Sequence, residues 1–229
     1  MATVLITGGT GDLGSKLVER FAARGNAVRV LSRRPRPGDA ATGGGTRAKA
    51  DVPGTRNLLA ACKEAGTPHF FYISIVGIEK IPLGYYKAKL ECERLIEESG
   101  VPWSNLRATQ FHTLIDGFLR LFSRVPLLLL VPKAFKFQPI ETGEVADRMV
   151  GDAAKGPIGR LPDIGGPDIL TFGEMAKVWQ QAHGQRRPIV NAPLLGAVAR
   201  GFKAGYNCAP DHAEGKVTWG EWLRGRYGG

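Results

Sequence analysis

Cysteine is scarce in this chain: Cys62, Cys92 and Cys208 are odd in number and far apart. That spacing excludes a disulfide framework and a structural zinc site, and free thiols suit a reducing, cytoplasmic setting. Long apolar runs are lacking too. The longest, Pro126-Leu127-Leu128-Leu129-Leu130-Val131-Pro132, is proline-bounded and much shorter than a bilayer requires. No basic-then-apolar leader pattern opens the chain, because Val4-Leu5-Ile6 runs straight into glycine. The expectation is a chain with no membrane partner. Acidic residues are outnumbered, 21 against 31 Lys and Arg, for a formal charge of +10. Basic runs interleaved with aromatics are missing, so the excess does not point to nucleic acid. It suits an anionic small molecule, since residues 29–49 alone hold six basic residues and one acidic.

What is present is an ordinary globular composition, 43% hydrophobic and 23% charged over 229 residues, enough for one domain with a sizeable core. Apolar runs alternate with helical periodicity. Strands are expected at 3–7, 27–32, 69–75 and 103–108, and helices at 12–24, 53–65 and 85–98. Further helices are expected at 112–123, 143–154, 171–183 and 194–204, with short strands near 128–131 and 160–164. The pattern predicts an α/β fold, a Rossmann-like doubly wound parallel sheet, followed from residue 110 by a substrate-side region.

The first strand enters TGGTGDLG, in which Gly8, Gly11 and Gly14 lie three apart before an amphipathic helix. Glycines there let the backbone approach a pyrophosphate seated on the helix N-terminus, with Thr10, Asp12 and Leu13 in the same turn. The second strand ends in Ser32-Arg33-Arg34. An NAD-selective site places a carboxylate there for the ribose 2′-hydroxyl. One hydroxyl and two guanidiniums favour a 2′-phosphate, hence NADP(H).

Ser74 closes the strand at 69–75, and eleven residues later Tyr85 opens the helix YYKAKLECERLIEE. Tyr85 and Lys89 are four apart and share a helical face. In a hydride-transfer site a phenol can protonate the nascent alkoxide. An ammonium can favour the phenolate and bind the cofactor ribose, and a serine can hydrogen-bond the carbonyl. Tyr86 is a competing phenol. Gln110, Phe111 and His112 follow the strand at 103–108, at the sheet edge where open α/β folds place ligands. They are candidates for the substrate pocket; ordinary core is the alternative for Phe111, and for His112, which could serve as a base, a surface or hydrogen-bonded position is the alternative. The stretch 123–138 suits a lid over an apolar substrate, core, or a dimer contact. The tryptophans 179, 219 and 222 suit a subunit contact or their own helices.

Through TGGTGDLG, YISIVGIEKIPLGYYKAKLECE, LRATQFH and EVADRMV, the chain resembles the atypical short-chain dehydrogenases/reductases, in particular the NmrA-like NAD(P)H-binding branch. The tail PDHAEGKVTW adds a looser likeness. The resemblance implies a Rossmann fold, nicotinamide cofactor binding at Gly8, Gly11 and Gly14, Arg33 and Arg34 near the adenosine phosphate, and a cofactor-facing Lys89. The branch also contains members that bind NADPH without catalysis. Relatives place a strand, a helix and a strand where this chain has only residues 33–52, a Gly/Pro/Arg-rich stretch too short for all three and read as a flexible loop. The sheet expected from this shortening has the order 2-1-3-4-5. The expected activity is NADPH-dependent reduction of a carbonyl or quinone-like small molecule, by a monomer or homodimer without a metal. The alternatives are a non-catalytic NADP(H)-sensing regulator and a nucleotide-sugar epimerase or dehydratase.

Overall fold

The computed structural model describes residues 1–32, 47–125 and 127–228, of which 47–50 are described in their backbone alone. The strands and helices run β1 (Thr3–Thr7), α1 (Asp12–Ala23), β2 (Ala27–Leu31), α2 (Arg47–Glu64), β3 (Phe70–Ile75), α3 (Gly84–Glu98), β4 (Trp103–Ala108) and α4 (His112–Phe122). Then come β5 (Leu129–Val131), β6 (Lys136–Phe137), α5 (Thr142–Ala153), β7 (Gly159–Arg160), β8 (Leu170–Thr171), α6 (Phe172–Ala182), β9 (Ile189–Asn191), α7 (Ala197–Ala204) and α8 (Trp219–Tyr227). The chain is an α/β protein of Rossmann type. Two compact units are formed: Met1–Tyr72 with Glu91–Ser104 and Thr142–Gly159, and Ile73–Leu90 with Asn105–Glu141 and Arg160–Gly229.

In the first unit β1 and β2 run parallel with Thr3 opposite Ala27 and Thr7 opposite Leu31. Of the expected order 2-1-3-4-5, the described residues pair β2 with β1 and β3 with β4; they form no β1–β3 ladder, and the strand beside β4 is β7, while β5 pairs elsewhere. Leu5, Val30 and Leu31 remain exposed, so the β1–β2 ladder lacks the apolar cover on both faces that a central parallel strand carries. Helix α1 is held to α5 by Arg20, whose guanidinium grips the Asp147 carboxylate at 2.5 and 3.3 Å, and by Arg24, which donates to the Val150 carbonyl. Leu59 of α2, Ile96 of α3 and Val101 form a small core with Phe70, Tyr72 and Trp103 packed on it.

Helix α2 begins six residues before the expected position 53. Proline favours the first helical position, which is why the sequence suggests a start there. The chain instead carries Pro53 inside the helix, accepting the loss of one backbone hydrogen bond. The remainder of the expected loop, residues 33–46, lies outside the described residues.

The second unit has the larger core. Ile115, Leu119, Leu129, Val131, Phe137, Phe172, Met175, Trp179, Trp219 and Leu223 are all buried in one cluster. Each such aliphatic side chain contributes about 2 kcal/mol by leaving water. Strand β5 pairs with β9 in parallel and β6 with β8 antiparallel. Trp179 donates its indole N–H to Asp116 at 2.8 Å, and the Tyr227 hydroxyl donates to the other carboxylate oxygen at 2.8 Å. Trp179 and Trp219 thus pack the interior of their own unit. Strands β6, β8 and β9 and helix α8 escaped the sequence reading because the strands are two or three residues long and α8 has its glycines and charges scattered around its axis. Helix α8 is fixed instead by a capping box between Thr218 and Glu221.

Candidate active site

The glycine turn lies within the first unit. Gly8 has φ +70° and its N–H donates to the Leu31 carbonyl at 2.7 Å, closing the turn onto β2. The Gly8 carbonyl then accepts from Gly11 at 2.8 Å. A Cβ on Gly14 would lie 2.1 Å from that same carbonyl oxygen, so the first turn of α1 seats against the loop only because residue 14 has no side chain. Gly11 caps α1 in extended conformation without a side-chain hydrogen bond, leaving the first-turn N–H groups to face what approaches the turn.

Sequence reasoning missed Gly9. A Cβ there would meet Val30 Cγ1 at 2.7 Å, so the glycine is needed for the loop to pack on β2. The signal was its place within TGGTGDLG itself. The Thr10 and Ser32 hydroxyls are brought together at 2.7 Å, joining the turn to the end of β2. Asp12 accepts from the Thr142 hydroxyl at 3.1 Å and Leu13 is half-buried, so both serve α1's seating. Arg33 and Arg34, the expected 2′-phosphate ligands, lie outside the described residues.

The second unit holds the other candidates. Ser74 is 4% exposed on β3, and its hydroxyl has no hydrogen-bond partner. A buried, unsatisfied hydroxyl costs about 1–3 kcal/mol, which a ligand oxygen could recover. Lys89 on α3 donates to the Ile73 carbonyl at 3.0 Å, which fixes its stem beside β3 next to Ser74. Tyr85, at the start of α3, is 38% exposed.

Its neighbour Tyr86 is buried against Ile78, Ile81 and Phe202. Burial pushes its phenol up to about 12; a hydrogen bond with the Gln110 side chain opposes the rise, while Tyr85 and Cys208 add to it. The two adjacent phenols therefore occupy different environments, one open to a ligand and one locked in the core.

Gln110, proposed from sequence as a pocket residue, is buried and exchanges two hydrogen bonds with Asn207, at 3.2 and 3.0 Å. Asn207 also donates to the Lys136 carbonyl. Gln138 extends the network, accepting from the Ala209 N–H at 2.7 Å and donating to the Gly166 carbonyl at 2.8 Å. Neither Asn207 nor Gln138 has a sequence signal, because isolated amides acquire meaning only when folding places them against backbone. Phe111 caps α4, half-buried. His112 is fully buried and its ring stacks on Trp219 and Trp222 at 5.7 and 5.5 Å. The two indoles also stack on each other at 5.5 Å, so the imidazole belongs to a three-ring cluster, and at 0% exposure it does not line an open pocket. The stretch 123–138 divides likewise, with Leu129, Val131, Phe135 and Phe137 buried and Leu127 and Leu130 exposed. Among the described residues no group of His, Cys, Asp or Glu could hold a metal ion. None of their helices is long and apolar enough to cross a membrane.

Comparison with known proteins bears on the fold. Residues 39–114 match the sequence model of a family described as NAD(P)H-binding. That span contains Ser74, Tyr85, Lys89 and Gln110 to His112, while the glycine turn lies before it. No curated protein matches the sequence. Among solved structures, an NADPH-dependent quinone oxidoreductase from Escherichia coli, determined with NADPH, is similar at TM-score 0.73 and 16% identity, over 99% of this chain and 100% of that one. A UDP-glucose 4-epimerase from Thermotoga maritima is similar at TM-score 0.73 and 16% identity, over 98% and 96%. A nucleoside-diphosphate-sugar epimerase from Staphylococcus aureus follows at 0.71 and 16%, over 98% and 100%. At such identities the likeness is one of fold.

Proposed function

We propose that this Rossmann-type chain, whose residues 39–114 match an NAD(P)H-binding family model, is an NADPH-dependent reductase of the atypical short-chain type, acting on a carbonyl or quinone-like small molecule. The observation that carries this reading is an exposed phenol and an unsatisfied buried hydroxyl in one unit, Tyr85 on α3 and Ser74 on β3, with Lys89 of α3 bonded to the Ile73 carbonyl next to Ser74. The glycine turn fits a dinucleotide, since the place a Cβ would fill at Gly14 is taken by backbone and the helix N-terminus carries no side-chain cap.

The nicotinamide cofactor, when bound, supplies a hydride. Tyr85 gives its proton to the oxygen of the reduced group, and Ser74 donates a hydrogen bond to the same oxygen and orients it. The Lys89 ammonium favours the Tyr85 phenolate through its charge and offers donors to a ribose. Tyr86 is not the donor in this reading, because it is packed in the core against Ile78 and Ile81. Preference for NADPH over NADH rests on Ser32 with Arg33 and Arg34.

The test is NADPH oxidation against a panel of aldehydes, ketones and quinones, with Tyr85→Phe and Lys89→Ala beside the unaltered chain. Loss of a proton donor is expected to lower kcat by roughly 10²–10⁴ while NADPH still binds. Unchanged turnover in both variants removes the mechanism.

One sequence feature favours a second reading, a non-catalytic NADP(H)-binding regulator: only residues 33–52 stand where the resembled branch has a strand, a helix and a strand. Calorimetric NADP(H) binding without turnover over the whole panel would select it.

A further inference from the structure

Two segments of the second unit stand apart in charge. Residues 117–138 hold Arg120, Arg124, Lys133 and Lys136, residues 185–205 hold Arg186, Arg187, Arg200 and Lys203, and neither holds a single Asp or Glu. The same segments carry Val125, Leu127, Leu130, Val190, Leu194 and Leu195, all exposed, Leu127 at 85% and Leu195 at 90%.

The fold joins them along one ladder. Leu130 of β5 lies opposite Val190 of β9, and directly paired residues point to one face. Arg187 donates to the carbonyls of Ser123 and Val125 at 2.8 and 3.1 Å, tying the approach to β5 against the approach to β9. At the far end Lys133 N–H bonds the Asn191 side chain, and Leu194 and Leu195 follow. Beside the ladder a shallow cleft of about 460 Å³ is lined by Lys177, Arg186 and Arg187 with Gln180 and Gln185. Leu127 itself has φ +67°, a left-handed conformation that leucine rarely adopts, and there it projects into solvent.

From this combination we infer that the β5–β9 face is a peripheral docking surface for a membrane rich in anionic lipid: the leucines enter the headgroup boundary and the exposed Arg124, Lys133 and Arg186 meet the lipid phosphates. A surface of this kind lies on a bilayer without spanning it. Charge complementarity selects the occupant. A second copy would set Arg124, Lys133 and Arg186 against the same basic residues. Nucleic acid would use the cations but leave aliphatic side chains, rather than stacking aromatics, against its bases. The inference is independent of the reductase reading, since it concerns where the chain sits and not what it reduces.

Cosedimentation of the full chain with vesicles decides it. Vesicles of phosphatidylcholine with phosphatidylglycerol are expected to bind at least roughly tenfold more tightly than phosphatidylcholine alone, and binding should weaken as salt rises. Leu127→Ser with Leu195→Ser should weaken binding about tenfold, and Arg124→Ser with Arg186→Ser roughly thirtyfold. All four side chains are exposed, so the circular dichroism and thermal midpoint should stay unchanged, which separates lost docking from lost folding. Equal binding to both vesicle types, or none, overturns the proposal. An effect of the arginine pair without any effect of the leucine pair overturns it too, by showing a mere polycation. A dimer abolished by the leucine pair, without vesicle binding, would assign the face to a second copy instead.

Discussion

The glycine turn and the tyrosine helix are built by opposite means. Around Gly8 to Gly14 the geometry is made of backbone: one carbonyl, that of Gly8, accepts from Gly11 and touches the space where residue 14 would carry a Cβ. The ladder beneath it is a pair of strands with Leu5, Val30 and Leu31 exposed. Around Tyr86 the geometry is made of buried side chains, with Gln110, Asn207 and Gln138 satisfying backbone groups of distant segments. A backbone site fails when an atom is added, and a side-chain site fails when a partner is removed. The former is therefore visible in a glycine motif and the latter is not.

Gly77 offers the strongest way to break that contrast, because it is a backbone contact inside the side-chain half. It sits at φ +77° in the turn after β3, and a Cβ would lie 1.9 Å from the Tyr206 carbonyl oxygen. Gly77→Ala combines conformational strain with a collision against backbone and should cost about 4 kcal/mol in urea denaturation. If the midpoint hardly moves, the 206–207 segment is not the rigid support proposed for Gln110. Gly14→Ala adds the same methyl in the other half. It should displace the first turn of α1 and weaken NADP(H) about a hundredfold by calorimetry, equivalent to about 3 kcal/mol. Retained affinity would show that the cofactor does not use this turn.

Element existence was legible where periodicity is long. The strands at 3–7 and 103–108 and the helices α1, α3 and α5 fall within one residue of their expected bounds. The start of α2 lies six residues before the expected one, since the helix accommodates Pro53 internally. Of the proposed site, Gly8 and Gly14 were legible because the turn's backbone geometry demands glycine, and Ser74 and Tyr85 stand as candidates by residue type. The sorting of Tyr85 from Tyr86 was not: adjacent tyrosines look alike until burial separates them by environment. His112 shows the same limit from the other side, since nothing in its sequence neighbours announces Trp219 and Trp222, more than a hundred residues away.

Tyr86→Phe sharpens the contrast at smaller amplitude. Removing the hydroxyl breaks the bond with Gln110 and should cost about 1 kcal/mol at neutral pH, with turnover retained. The pH dependence gives an independent check. Tyr86 has a folded value of about 12, raised above the ordinary 10, chiefly by burial. The neutral phenol's contribution to stability is thus complete below pH 10 and is lost as pH rises from 10 toward 12. Denaturant midpoints measured across that window should fall for the unaltered chain and fall less for Tyr86→Phe. Parallel curves would mean that Tyr86 ionises freely and is not the buried member of the pair.

The smallest effect expected has the opposite sign. Leu127 occupies a left-handed backbone conformation with its side chain 85% exposed, so it pays conformational strain and recovers little by burial. Glycine adopts the same φ without steric cost but loses more chain entropy on folding, so the two terms partly cancel. Leu127→Gly should therefore raise stability by less than about 1 kcal/mol, measured by urea denaturation. The same variant should bind anionic vesicles more weakly, because the side chain that enters the headgroup boundary is gone. A gain in stability accompanied by a loss of docking would mean that the strain at 127 is kept for the surface it presents. A loss of stability would mean that Leu127 is held by packing, and the β5–β9 face would then be part of the core's periphery instead of a docking surface.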